Sequence, residues 1–456
     1  MSAFLARNRA PLYAFAIALA VYAIVTGPRM LRQSSDPHFA TQAAAWLDGR
    51  VDLESWKGDD PAKVDEVRLA DGTLARGRFL TSRKTFRRFG GDEVPTAGVT
   101  KLRTLHYVSF PPFPSVLLLP QAMIPGARAN DVVPTLLLAA LAPALLLVLL
   151  RRLREVGLSA RTPCEDAWLA ALLAFGTVFF FSAVQGRVWF TAHIVGVVLA
   201  LGYAWASIEA AHPVVAGLAL ALATVTRTPM LFMFPFFVLE ALRVSRIHAH
   251  TPNDRRAWLT RRALCFALPL VLVGLAAAWY NHARFGEFAE FGHSYLAVRQ
   301  QAQIEQHGLF DLHYLGRNLA VLLTLLPEFS LAPPFISISG HGLALWLTTP
   351  AFLLLLWPRE RGPLFRTLWL TILGVAVWSL TYQNSGWVQF GYRFSLDYTV
   401  FLVLLLATSG PPLGRVAKTL IVAGIVVNLF GAVTFARHEQ FYRWRQPPDY
   451  GCVVPN

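Results

Sequence analysis

The distribution of apolar runs sets what this chain can become. About eleven stretches are apolar enough to be read as membrane-crossing helices: residues 11–26, 131–150, 166–182, 190–208, two halves of 213–242, 263–280, 342–357, 367–382, 396–409 and 419–435. A full span takes about 17–25 mostly apolar residues, and fewer where neighbouring helices shelter it. The stretch 213–242 is interrupted by Thr226-Arg227-Thr228-Pro229. Proline ends a helix at the residue before it, so this stretch reads as a hairpin of two short helices. The charged fraction is only 15% while 55% of residues are hydrophobic, against about 25% charged in a soluble domain. A disordered chain, a coiled coil and an ordinary cytosolic enzyme are thereby excluded.

The net charge of +14 would suggest nucleic acid in a soluble protein. Here it follows topology. With the N-terminus in the cytoplasm, the short basic loops near 151–165, 243–262, 358–366 and 411–418 all fall on the cytoplasmic side, as the positive-inside rule asks. The long basic loop at 32–113 falls outside, which long loops do largely regardless of charge. Arg7 and Arg9 precede the first apolar run and no small-residue cleavage site follows it before Arg29 and Arg32, so it reads as a retained signal anchor. Three cysteines with no CxxC or Cys/His spacing suggest neither a disulfide framework nor a zinc site.

The expected fold is an all-α polytopic membrane protein of about eleven transmembrane helices, with a long outer first loop that carries juxtamembrane helices and a small β-hairpin. The divisions are a signal anchor and first helix in 1–31, an outer loop in 32–130 and helices two to seven in 131–280. A second outer segment follows in 281–341, then helices eight to eleven in 342–435 and an outer tail in 436–456. In the first loop, Asp36 stands where an N-cap would open a short helix through Ala40 to Leu47. An Asp71-Gly72 turn predicts a β-hairpin, and a basic run of Arg83, Lys84, Arg87 and Arg88 follows it. A short apolar helix to about Ile124 is too short to span. Residues 315–326 read as an amphipathic surface helix.

Polar and aromatic clusters collect on the outer face. They are Ser35-Asp36-Pro37-His38-Phe39, the 106–114 segment with Tyr107-Val108-Ser109-Phe110-Pro111-Pro112, Asn281-His282-Ala283-Arg284-Phe285-Gly286, Gly292-His293-Ser294-Tyr295 and Gly391-Tyr392-Arg393. The cytoplasmic loops carry no Gly-rich nucleotide motif. In this order and on this side, these segments, together with Gly217 to Pro229, resemble the GT-C superfamily of membrane glycosyltransferases, in the bacterial branch similar to protein O-mannosyltransferases and lipid A aminoarabinose transferases.

The resemblance covers roughly residues 10–435. It implies a sugar donor linked to a polyprenyl phosphate, an acceptor that is protein, lipid or glycan, transfer on the outer face of a bacterial inner membrane, and Asp36 as the general base. Several members carry a paired acidic motif where this chain continues Asp36 with Pro37 and His38, so neither a metal nor another cofactor is invoked.

Arg284 and Arg393 are candidates to hold the donor phosphate, since the guanidinium fork suits phosphate. Each could equally snorkel to headgroups. Arg227, at the hairpin tip, is a third candidate, because intramembrane charges face cavities. His38 and His293 could meet the donor or be ordinary solvated histidines. Tyr107, Tyr295 and Tyr392 could stack on sugar or anchor the interface. Asp36 could be a helix cap alone. A transporter or flippase of an anionic or lipid-linked substrate, or a non-catalytic scaffold, is the competing reading. The absence of matched halves with paired broken helices speaks against transport.

Overall fold

The computed structural model describes residues 2–80, 84–124, 130–248, 251–296 and 301–444. Arg83 of the basic run and the last part of the outer tail lie outside them. The chain opens with α1 (Ser2–Thr26) and α2 (His38–Leu47), followed by strands β1 (Ala62–Arg68), β2 (Leu74–Leu80), β3 (Thr85–Arg88), β4 (Glu93–Pro95) and β5 (Thr100–Tyr107). Helices α3 (Phe113–Ala122), α4 (Val132–Glu155), α5 (Pro163–Phe175), α6 (Phe179–Ala183), α7 (Val188–Ser207), α8 (Pro213–Thr224), α9 (Pro235–His248) and α10 (Pro252–Phe285) come next. The remainder comprises α11 (Gln301–His307), α12 (Leu315–Leu323), α13 (Leu345–Thr348), α14 (Pro363–Leu380), α15 (Leu396–Ser409) and α16 (Arg415–Thr434).

The protein is mostly helical, and among the described residues six helical segments are long and apolar enough to cross a membrane: Asn8–Leu31, Val132–Glu155, Val188–Ala210, Pro252–Phe285, Pro363–Leu380 and Arg415–Thr434. The other apolar runs fold into shorter pieces. Run 166–182 splits into α5 and α6. Run 213–242 breaks as its proline requires, into α8, a 3-10 turn Thr228–Met233, and α9. Run 342–357 forms only α13 and a 3-10 segment Pro350–Leu356. α15 is 14 residues long, about 21 Å at 1.5 Å per residue, and almost every side chain on it is buried. A helix that is apolar all round belongs to an interior, and α15 runs through the middle of the bundle between α7 and α14.

α10 is the opposite case. It has 34 residues, Thr251 Oγ1 accepts from Asp254 N at its start, and Gly286 closes it at φ 76°. Most of its length is exposed, including Leu268, Leu275 and Trp279. At about 51 Å it exceeds a hydrocarbon core of about 30 Å. Its C-terminal end therefore projects to meet the sheet.

The Asp71-Gly72 hairpin forms as its sequence predicts, with Arg68 opposite Leu74 and Gly72 at φ 83°. It belongs to a larger sheet than a hairpin, ordered β4-β3-β2-β1-β5 and antiparallel throughout. The sheet is fastened to the end of α10 by an aromatic cluster of Tyr107, Phe285 and Tyr295, with Phe285 and Tyr295 stacked at 5.4 Å. One local expectation changes. Pro37, not Asp36, precedes the first turn of α2, and Thr41 Oγ1 donates to its carbonyl at 2.7 Å. Asp36 caps nothing, because its carboxylate is engaged elsewhere.

The packing of α8 on α10 has no slack at Gly217, where a Cβ would fall 2.0 Å from the carbonyl oxygen of Phe266. Backbone cannot yield as a side-chain tip can. Gly217→Ala is therefore expected to destabilise by about 1–3 kcal/mol. Gly202→Ala, where a Cβ meets nothing, should leave the thermal unfolding midpoint unchanged. Equal midpoints for the two variants would contradict this packing.

Candidate functional site

The helix ends expected on the outer face converge on one cavity of about 700 Å³. Its wall is built from the Gly58–Pro61 turn, the Ser109–Pro111 segment, the start of α7 at Arg187, Trp189 and Phe190, and the Thr226–Pro229 break. Phe291, His293, Tyr382 and Trp387 close it, with Arg393 and Phe394 ahead of α15 and Ala436 and Glu439 after α16. Aromatic rings make up much of the surface. The charges are few and placed.

Arg227 reaches the cavity because Pro229 stops the helix there. Its Nη2 donates to Asp397 Oδ2 at 2.7 Å and its Nε to Oδ1 at 2.5 Å, a bidentate pair. His193 Nδ1 lies 3.2 Å from the same Oδ1. Asp397 is 1% exposed. Arg393 is different. It is 4% exposed, donates from Nη1 to the Val388 carbonyl at 2.8 Å, and lies over the rings of Phe190 and Phe394. Its Nε is buried without a partner, and no carboxylate pairs with it among the described residues. Burial, with help from the Arg227 charge, brings its pKa down to about 9. A buried, under-satisfied cation beside an open cavity is suited to receive an anion.

Asp60 lines the same cavity. Trp189 Nε1 donates to its Oδ2 at 3.0 Å. Its φ of 59° lies in the left-handed region, a strained setting for a residue other than glycine. Burial raises its pKa, the neighbouring Asp59 and Asp36 charges add to this, and the Trp189 bond and Arg393 oppose it. A carboxylate with raised proton affinity at a cavity wall is a better proton acceptor than an ordinary surface aspartate.

Of the sequence-derived candidates, Arg227, Arg393 and His293 line the cavity. Asp36 lies directly behind the wall. It is 4% exposed, accepts from Asp59 N at 3.0 Å and from Ser35 Oγ, and sits 3.6 Å from Arg187 Nε. Its own carbonyl accepts from Val188 N. Asp36 thus ties the Gly58–Pro61 turn to the start of α7 and holds Arg187 in place. His38 is packed behind the wall as well, against Trp56 and Phe110.

Arg284, Tyr107 and Tyr295 gather elsewhere, at the junction of sheet and α10. There Arg284 Nη1 donates to the Val108 carbonyl at 2.7 Å and its guanidinium lies 4.1 Å from the Tyr280 ring centroid. This use of Arg284 is structural. Tyr392 is fully buried against Phe394 and Val321 and does not line the cavity.

Asp60, Arg187 and the Asp397–His193 pair were not singled out by sequence reasoning. Asp397 and His193 had a signal, being polar side chains within apolar runs. Asp60 and Arg187 sit in polar connections and had none. Among the described residues no group of three or more His, Cys, Asp or Glu side chains converges as a metal site.

Burial holds His38 and His293 neutral, with pKa values brought down to about 4, against about 6.5 in an unfolded chain. Between those values the unfolded chain binds protons that the fold refuses, so stability is full above pH 6.5 and falls as pH drops toward 4. The thermal midpoint should decline over that window, and the double variant His38→Gln with His293→Gln should flatten the decline. No family model, curated protein or solved structure matches the chain, so what the site does is read from its own geometry.

Proposed function

We propose that the protein is a membrane glycosyltransferase of the GT-C kind that moves a sugar from a polyprenyl-phosphate donor to a hydroxyl acceptor at the outer face of a bacterial inner membrane. The short helical segments cross the bilayer with the six long ones in this reading, the N-terminus lies in the cytoplasm and the C-terminus in the periplasm. The observation that carries the reading is Arg393, a buried guanidinium with an unused N–H, lining the same cavity as a carboxylate of raised proton affinity.

Transfer needs both. The acceptor oxygen attacks the anomeric carbon as its bond to the phosphate oxygen breaks. The electron pair leaves on the phosphate, and the acceptor's proton passes to a base. Arg393 meets the charge that grows on the phosphate, while Arg227 is held by Asp397. The resemblance assigns the base to Asp36. The geometry favours Asp60, which lines the cavity, and makes Asp36 the residue that positions the turn carrying Asp60. The aromatic wall offers stacking surface to sugar rings and keeps water out.

The test is release of polyprenyl phosphate from a labelled polyprenyl-phosphate hexose by purified protein in vesicles. Asp60→Asn is expected to lower the rate by about 10²–10⁴ while leaving donor binding near wild type. Arg393→Gln should weaken donor binding itself. Full activity in Asp60→Asn with none in Asp36→Asn would return the base to Asp36. Translocation of intact donor without release would instead mark a transporter.

A further inference from the structure

Three segments far apart in sequence each bring one arginine to the cavity end of α1. Arg29 lies in the 3-10 turn Gly27–Leu31, Arg187 stands immediately ahead of α7, and Arg437 follows α16. Arg437 Nη2 donates to the carbonyl of Val25, one turn before Arg29. Arg29 Nη2 donates to Gln185 Oε1 at 3.1 Å, two residues before Arg187. The charges of Arg437 and Arg187 both act on Arg29. All three side chains are half-buried.

Like charges do not collect at one place without compensation. Arg187 has Asp36 at 3.6 Å. Among the described residues neither Arg29 nor Arg437 has a carboxylate within ion-pair distance, although Glu439 and Asp131 lie on neighbouring segments and Asp131 is occupied by the Ser34 backbone and hydroxyl. Arg29 Nη1 and Arg437 Nε are also buried without a hydrogen-bond partner. The cluster therefore has two open guanidinium donors and excess positive charge.

Its depth says what it meets. Arg29 stands three residues past Thr26, where the apolar α1 ends, and Ile24 and Leu31 to either side are 79% and 84% exposed. A cation at the end of a lipid-facing helix is at headgroup level. We infer that Arg29, Arg187 and Arg437 form a second anion site, beside the cavity and distinct from Arg393, that takes the phosphodiester of an anionic bilayer lipid. The site does not depend on glycosyl transfer and stands if that reading fails.

The full-length protein in neutral detergent is titrated with phosphatidylglycerol, with phosphatidylcholine or with sodium phosphate, and the thermal unfolding midpoint is followed. Phosphatidylglycerol should raise it and phosphatidylcholine should not. In the double variant R29Q with R437Q the half-saturating phosphatidylglycerol concentration should rise at least tenfold. R29K with R437K keeps the charge and loses the fork, so it should fall between, and it serves alone if the Gln variant does not fold. Saturation by millimolar phosphate, with no further gain from the lipid, overturns the lipid assignment. An unchanged titration in the variants, or equal protection by phosphatidylcholine, overturns the site.

Discussion

A carboxylate inside an apolar helix has to be paired, and much of this cavity follows from how Asp397 is paired. Asp397 sits in the first turn of α15, the most enclosed helix of the bundle. Its partners come from two other places in the chain: His193 on α7, and Arg227 at the break after α8. Removing either charge alone would leave the other buried and uncompensated, at a cost of about 3–5 kcal/mol. The triad therefore holds the α8 break, α7 and α15 in one register. With that register fixed, Arg393, three residues ahead of α15 in the 3-10 turn Arg393–Ser395, is carried into the cavity wall. The pair leaves Arg227 neutralised and Arg393 not. One arginine is committed to architecture and the other is left with its charge available.

The elements whose cause is local were legible in the sequence. Asp71-Gly72 turns because glycine accepts positive φ there, and the apolar alternation on either side pairs the strands. Thr228-Pro229 stops α8 because proline cannot continue the helix. The long apolar runs became long helices. Short apolar runs were the difficulty, since apolarity reports burial without saying in what. α15 is apolar because protein surrounds it, and α10 because it is exposed along most of its length to an apolar surrounding. Their apolarity does not distinguish the two, whereas the length of α10 and the single aspartate of α15 do.

The candidate site residues divide the same way. Arg227 was legible because a charge beside a helix break in an apolar run has few places to go. Arg284 and Arg393 looked alike, each an arginine among aromatics near the end of an apolar run. What separates them is distant: the carbonyl of Val108, 176 residues away in sequence, draws Arg284 into the junction of sheet and α10. Nε is unpartnered in both, but only Arg393 lines the cavity. Asp36 and Asp60 differ for a similar reason. Asp36 carries the family-like context, but the amide of Asp59 and the guanidinium of Arg187 close around it. Asp60 has no motif at all. Its exposure to the cavity depends on the turn that Asp36 holds.

That dependence links the two carboxylates and the arginines into one electrostatic arrangement. Asp36 neutralises Arg187 on the side away from the cavity, so the positive potential inside is set mainly by Arg393, with Arg227 largely cancelled by Asp397. Asp60 feels the charge of Arg393, which lines the same cavity, and each moderates the other: the cation lowers the proton affinity of the carboxylate, and the carboxylate stabilises the cation. An anion arriving at Arg393 would remove part of that influence. The proton affinity of Asp60 would then rise further, strengthening it as an acceptor when a negatively charged ligand is in place and not before. A base whose strength depends on the presence of the bound anion couples binding to proton transfer through Coulomb's law alone, without any movement of the backbone.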